Sequence, residues 1–121
     1  MIAAEALAKR DIQARVLDCH TIKPIDKEAI IEAARETGGI VTAEDHNIIG
    51  GLGSAVCEVL AESWPTHVRR VGLNDCFASS GRDYRKLLSY FRMDATAIQT
   101  AAEELFCLPG ISSVSANRVT V

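Results

Sequence analysis

Gly39–Val59 reads GIVTAEDHNIIGGLGSAVCEV, and three segments follow one another in it. Ile40-Val41-Thr42-Ala43 is a short apolar run of β type, and Glu44-Asp45-His46-Asn47 is a polar cluster. Gly50, Gly51 and Gly53 then form a turn that enters a helix. Leu52, Ala55, Val56, Val59 and Leu60 fall at i, i+3, i+4, i+7 and i+8, one face of an α-helix. A strand whose carboxyl end carries charged groups and then glycines is where open α/β sheets place ligands and interfaces. The residues singled out for an interface or an anion site are therefore Glu44, Asp45, His46, Asn47, Gly50, Gly51, Gly53 and Ser54.

Working outward, residues 2–10 read as a short helix with Ile2, Ala3, Ala6 and Leu7 on one side, and Ile12–Leu17 as a strand. In the loop DCHTIKPID, Pro24 pushes Lys23 out of helical geometry. Asp26 is an N-cap, with Ile25 and Ile30 at hydrophobic-staple spacing, and Gly38-Gly39 end the helix over 27–37. The strand Ile40–Glu44 and a helix from about Gly51 to Ser63 follow, stopped by Trp64-Pro65. His67–Leu73 is a third strand. Gly81 opens a helix with Tyr84, Leu87, Leu88 and Phe91 at helical spacing, and Ser80 is its expected cap. Asp94 caps the last helix, whose inner face is Ile98, Ala101, Ala102 and Leu105. Strands alternating with helices imply a three-layer α/β/α sandwich around a mostly parallel sheet, an α/β fold. This domain is expected over residues 1–107. A tail over 108–121 follows, whose last four residues make either a short added strand or a frayed end.

A chain of 121 residues is expected to form one domain with a core that needs no staples. The net charge is −3 and the basic residues are scattered, with Arg69-Arg70 the sole Arg-Arg doublet, which argues against nucleic acid, whose phosphates demand a clustered positive face. No apolar run approaches the ~18 residues of a membrane span, and MIAAEALAKR lacks a secretory core, so the expected location is the cytoplasm. Cys19, Cys57, Cys76 and Cys107 show no C-x-x-C spacing and read as thiols rather than disulfides. A zinc site from Cys19, His20 and His46 has no supporting spacing, and His20 reads as a surface or capping histidine.

Three motifs, DCHTIKPID, TAEDHNIIGGLGSAV and VGLNDCFASSG, occur in an order and spacing that resemble the C-terminal domain of transketolase and its thiamine-diphosphate relatives. Those relatives include deoxyxylulose-phosphate synthase and the β-type subunits of 2-oxoacid dehydrogenases. The resemblance spans Ala3–Phe106 and is nearest to the transketolase branch, split enzymes included. It implies an α/β/α sandwich with a mixed sheet. It also implies that thiamine diphosphate and its divalent metal are bound by other domains, since the G-D-G of the metal-diphosphate motif does not occur here. The implied role is a non-catalytic C-terminal domain or subunit of a ketol-transferring enzyme, serving assembly and dimer contacts beside a thiamine-diphosphate-binding N-terminal partner. The alternatives are a stand-alone phosphate- or nucleotide-binding module and an inactive truncated fragment.

Two departures from the family carry expectations. In the family a strand precedes the first helix and lies between the equivalents of residues 12–17 and 40–44. Here that place is left to the tail Asn117–Val121, to a second copy, or to a partner. Where relatives commonly have glycine, Phe91 stands, at roughly 1–2 kcal/mol of strain if φ is positive.

Within the polar cluster, Glu44 and His46 share a side of the strand, and no nucleophile stands beside them for an acid/base role. Interface hydrogen bonding and support of the glycine turn is the favoured reading. Gly50-Gly51-Leu52-Gly53-Ser54 reads first as close packing of helix on strand, and second as an anion cradle. Without a third glycine in G-x-G it is a weak dinucleotide signal. Cys57 reads as packing. Asp75, Ser79, Ser80 and Gly81 form a polar loop, which the resemblance places near subunit contacts, and Arg82 and Arg85 read as solvated charges.

Overall fold

The computed structural model describes residues 1–108 and 118–121. Elements follow in the order α1 (Ile2–Ala8), β1 (Gln13–Arg15), α2 (Lys27–Glu36), β2 (Ile40–Asn47), α3 (Leu52–Ser63), β3 (Val68–Leu73), α4 (Tyr84–Tyr90), α5 (Ala95–Phe106) and β4 (Arg118–Thr120). The starts of α2 and α5 are set by carboxylate caps. Asp26 accepts from Ala29 N at 3.0 Å, and Asp94 accepts from Ala97 N at 3.0 Å.

The sheet order is β1-β4-β2-β3, and every pairing is parallel. Ala14 lies opposite Val119, Ile40 opposite Thr120, and Ile40–Ala43 run beside Val68–Val71. Side chains that alternate along the strands feed two cores. Val41, Val71 and Val119 pack with Leu7 of α1 and with Ala102 and Leu105 of α5. Ile40 packs on the other face with Ile30 and Ala34 of α2 and Val56, Val59 and Leu60 of α3. The three layers are therefore α1/α5, the sheet and α2/α3.

The tail supplies the strand between β1 and β2. Val119 is fully buried, and Thr120 Oγ1 lies 3.0 Å from the buried Thr37 Oγ1, itself 2.8 Å from Ala33 O. Frayed-end behaviour therefore does not describe Arg118–Thr120, and the remaining part of the expected strand, Asn117, lies outside the described residues.

Some expected boundaries shift. β1 covers three residues rather than six, and β2 continues past Glu44 to Asn47, because Asn47 resumes pairing with Leu73 after an irregularity. The first residue of α4 is Tyr84, and its cap is Asp83, which accepts from Lys86 N at 3.2 Å. Neither Ser80 nor Gly81 opens it. Phe91 has φ −86°, so it carries no left-handed strain, and the positive φ falls one residue later, on Arg92 at 55°. The helix end shifts the strained position instead of removing it.

The seat of β4 is open to measurement by urea unfolding. Val119→Ala is expected to cost about 2 kcal/mol, since it removes two carbons from a closed core. Arg118→Ala, at the exposed first residue of β4, should stay within ~0.5 kcal/mol.

Candidate functional site

Glu44 occupies the same face of β2 as Ile40 and Thr42, the face turned toward α3. Both of its carboxylate oxygens are used: Oε2 accepts from Leu52 N at 2.7 Å, and Oε1 accepts from Gly53 N at 2.9 Å. The first turn of a helix leaves N–H groups without intrahelical acceptors and carries the positive end of the macrodipole. The charged oxygens of Glu44 meet both demands, with bonds about twice as strong as neutral ones.

This clamp requires glycines. A Cβ on Gly51 would fall on Glu44 Oε2 and stand 2.8 Å from Asn47 O. One on Gly53 would stand 2.8 Å from Thr42 Oγ1 and 2.7 Å from Arg70 Cδ. Gly50 meets no neighbour, and its φ of +77° is what glycine supplies at that point of the turn.

The other polar groups close on one another. Ser54 Oγ accepts from Gly50 N at 2.9 Å and donates to Ile48 O at 3.1 Å. Arg70 Nη1 donates to the same carbonyl at 2.9 Å, and Asn47 Oδ1 accepts from Ile49 N at 2.9 Å. His46 is exposed, with Nδ1 2.9 Å from Asn47 O. Asp45 accepts from Tyr84 OH at 3.1 Å, which brings α4 to the end of β2. That hydrogen bond, and then the Asp45 charge, raise the Tyr84 phenol above its ordinary pKa. Elsewhere, burial and then the Asp26 and Asp18 charges push the Cys19 thiol up.

The structure thus gathers Glu44, Asn47, Gly50, Gly51, Gly53 and Ser54 into one hydrogen-bonded turn and leaves Asp45 and His46 facing outward. Sequence reasoning missed Tyr84 and Arg70 as members, and no local spacing announces partners 39 and 22 residues away. Gly72 was also missed. A Cβ there would stand 2.8 Å from His46 O, and an isolated glycine inside a strand run was its signal. The segments after β2 and β3 expose large apolar side chains, with Ile49 62% and Phe77 fully accessible, Tyr84 59% and Tyr90 77%. Among the described residues no three His, Cys, Asp or Glu side chains converge on a common point.

The family model "Transketolase, C-terminal domain" matches residues 1–98. The chain is 48% identical over 106 residues to the 6-deoxy-6-sulfo-D-fructose transketolase subunit SqwH of Clostridium sp. (strain MSTE9), covering 87% of this chain and 32% of that protein. It is 41% identical over 110 residues to 1-deoxy-D-xylulose-5-phosphate synthase 1 of Geobacter sulfurreducens, covering 89% of this chain and 17% of that one. A solved chain described as "Split gene transketolase, inactive beta4 tetramer" superposes with a TM-score of 0.80 at 45% identity, over 88% of this chain and 34% of that chain. The chain therefore spans a third or less of the length of the curated relatives it matches.

The clamp predicts a non-additive pair. Glu44→Ala should cost about 2 kcal/mol in urea unfolding. Gly51→Ala displaces the same carboxylate, so the double variant should be only slightly worse than Gly51→Ala alone. Absorbance titration should place Tyr84 above the ordinary phenol range, and Asp45→Asn should bring it back. Because the folded pKa is raised, this bond stabilises the fold below about pH 10 and is lost as pH climbs through the folded value. The matched span contains the whole glycine turn and its clamp, and the chain belongs to the transketolase C-terminal domain family.

Proposed function

We propose that this chain is the non-catalytic C-terminal part of a transketolase-like, thiamine-diphosphate-dependent enzyme, and that it serves assembly and subunit contact. The observation carrying this reading is the clamp at the glycine turn. The N–H groups that a diphosphate would need at the start of α3 are already held by Glu44 at 2.7 and 2.9 Å. These residues therefore do not fit the cofactor's diphosphate, and no step of a reaction is routed through them.

What the turn does instead is fix the end of β2 and the loop Asn47–Gly51, on which Ile49 is exposed. Ile49, Phe77, Tyr84 and Tyr90 are each exposed apolar or aromatic side chains of the kind a protein contact uses. The proposed partner is the subunit or domain that binds thiamine diphosphate and its divalent metal. Two relatives support this by name, the sulfofructose transketolase subunit and the split-gene transketolase chain. The stand-alone phosphate-binding alternative would need the same helix N-terminus and would have to displace Glu44 from it. A homodimer is compatible with the reading, and we place the enzyme in the cytoplasm.

Co-expression with a thiamine-diphosphate-binding N-terminal subunit tests the proposal. Ketol transfer should require both chains, and Phe77→Ser should weaken co-purification about tenfold while leaving this chain folded. Ketol transfer unchanged when this chain is omitted would overturn the subunit reading. A saturable phosphate shift at Gly51–Ser54 would replace it with the binding-module one.

A further inference from the structure

One helix stays outside both cores. α4 has no buried residue, and neither core draws on its side chains. Leu87 and Leu88 are half-buried, as are Phe91 and Met93 just past the helix end. Between α4 and the end of β2 lies a cavity of about 180 Å³, lined by Tyr84, Leu88 and Met93 on one side and by Ala43, Glu44 and Asp45 on the other. Tyr84 OH donates to Asp45 Oδ2 at 3.1 Å. Among the described residues this is the one hydrogen bond between α4 and another element.

The backbone on either side gives α4 little support. Residues 74–83, which lead into it, are exposed throughout and contain no helix or strand. The exit is a Schellman turn, in which Met93 N donates to Leu88 O at 2.8 Å and Arg92 N donates to Ser89 O at 3.1 Å. Such a turn needs a left-handed residue, and Arg92 fills the place with φ 55°, where glycine would be free of strain. Closing α4 therefore strains the backbone at one end. Only an exposed hydrogen bond and a half-buried apolar face offset that strain. A seven-residue helix has no stability of its own, so its hydrogen bonds are kept or lost together.

We propose that α4 is a strap that opens from the end of β2 as one unit while both cores stay closed, with the Tyr84–Asp45 bond as its latch. Few buried contacts and a solvent-exposed tether put an element at the low-stability end of a fold. α3 and α5 stand at the other end, since Val59, Leu60, Ala102 and Leu105 are buried in the cores. Opening takes the phenol off Asp45 and bares Leu88 and Met93, so the end of β2 has two alternative surfaces. Whatever binds one of them better shifts the balance toward it. The device belongs to this chain and does not rest on the partner proposed above.

Native-state hydrogen exchange of the full chain, followed by NMR at low urea concentrations, tests this. The amides of Leu87, Phe91 and Met93 should share one opening constant and exchange about a hundredfold faster than those of Val59, Leu60, Ala102 and Leu105. Tyr84→Phe keeps the ring and removes the latch. It should speed the three strap amides about fivefold and leave the four core amides unchanged. Arg92→Gly relieves the turn and should slow the same three amides about threefold. Strap amides that exchange at the rate of the core amides overturn the inference. So does a Tyr84→Phe variant in which the strap amides are unchanged, or one in which the core amides speed up by the same factor.

Discussion

A parallel sheet does not place consecutive strands side by side through a tight turn, and that constraint governs this molecule. β1 and β2 are joined by the crossover through α2 and lie one place apart, with the place between them demanding a strand. β4 takes it. Three residues pair with all of β1, and one of them reaches β2. Buried main-chain groups left without partners cost about 1–3 kcal/mol each, so a short strand here matters more than its length suggests. Val119 also completes the core under α1 and α5, and Thr120 joins Thr37 at the exit of α2. Both helix layers therefore rest on a strand contributed by the far end of the sequence.

Holding β2 from both sides is what gives Glu44 its direction. Ile40, Thr42 and Glu44 alternate onto one face, the first two buried and the third at the level where α3 begins. The carboxylate then ties strand to helix at the point where the chain reverses. Gly51 and Gly53 permit the approach, and Arg70 of β3 reaches the turn through Ile48 O. The result is a stiff platform whose outward groups, Asp45, His46 and Ile49, are carried without being needed to hold it.

Much of this was legible from the residues. The Asp26 and Asp94 caps follow from local pattern, because each depends on a neighbour three positions on. The glycines themselves announced a close approach, although the groups they meet, Glu44, Thr42 and Arg70, lie 7 to 17 positions away. The end of β2 was misread because apolar character stops at Ala43 while pairing with β3 resumes at Asn47. Pairing is a property of two strands, and one strand's hydropathy does not report it. The cap of α4 was misplaced for a different reason. Ser80 and Asp83 are both good cap residues, and only the path of the loop decides between them. Tyr84 and Asp45 meet across 39 residues, beyond any local signal.

The turn after a parallel strand can serve two ends with the same glycines. If the helix N-terminus is left open, it binds an anion; if the protein supplies its own anion, it becomes a joint. What separates the two here is a carboxylate two residues past the last buried position of the strand, on the face shared with Ile40 and Thr42. Period-two alternation puts Glu44, and not Asp45, under the helix, so the neighbouring carboxylate is free to meet Tyr84 instead. Two adjacent acidic residues thus divide into one that ties strand to helix and one that faces outward and holds Tyr84. The division follows from strand geometry alone.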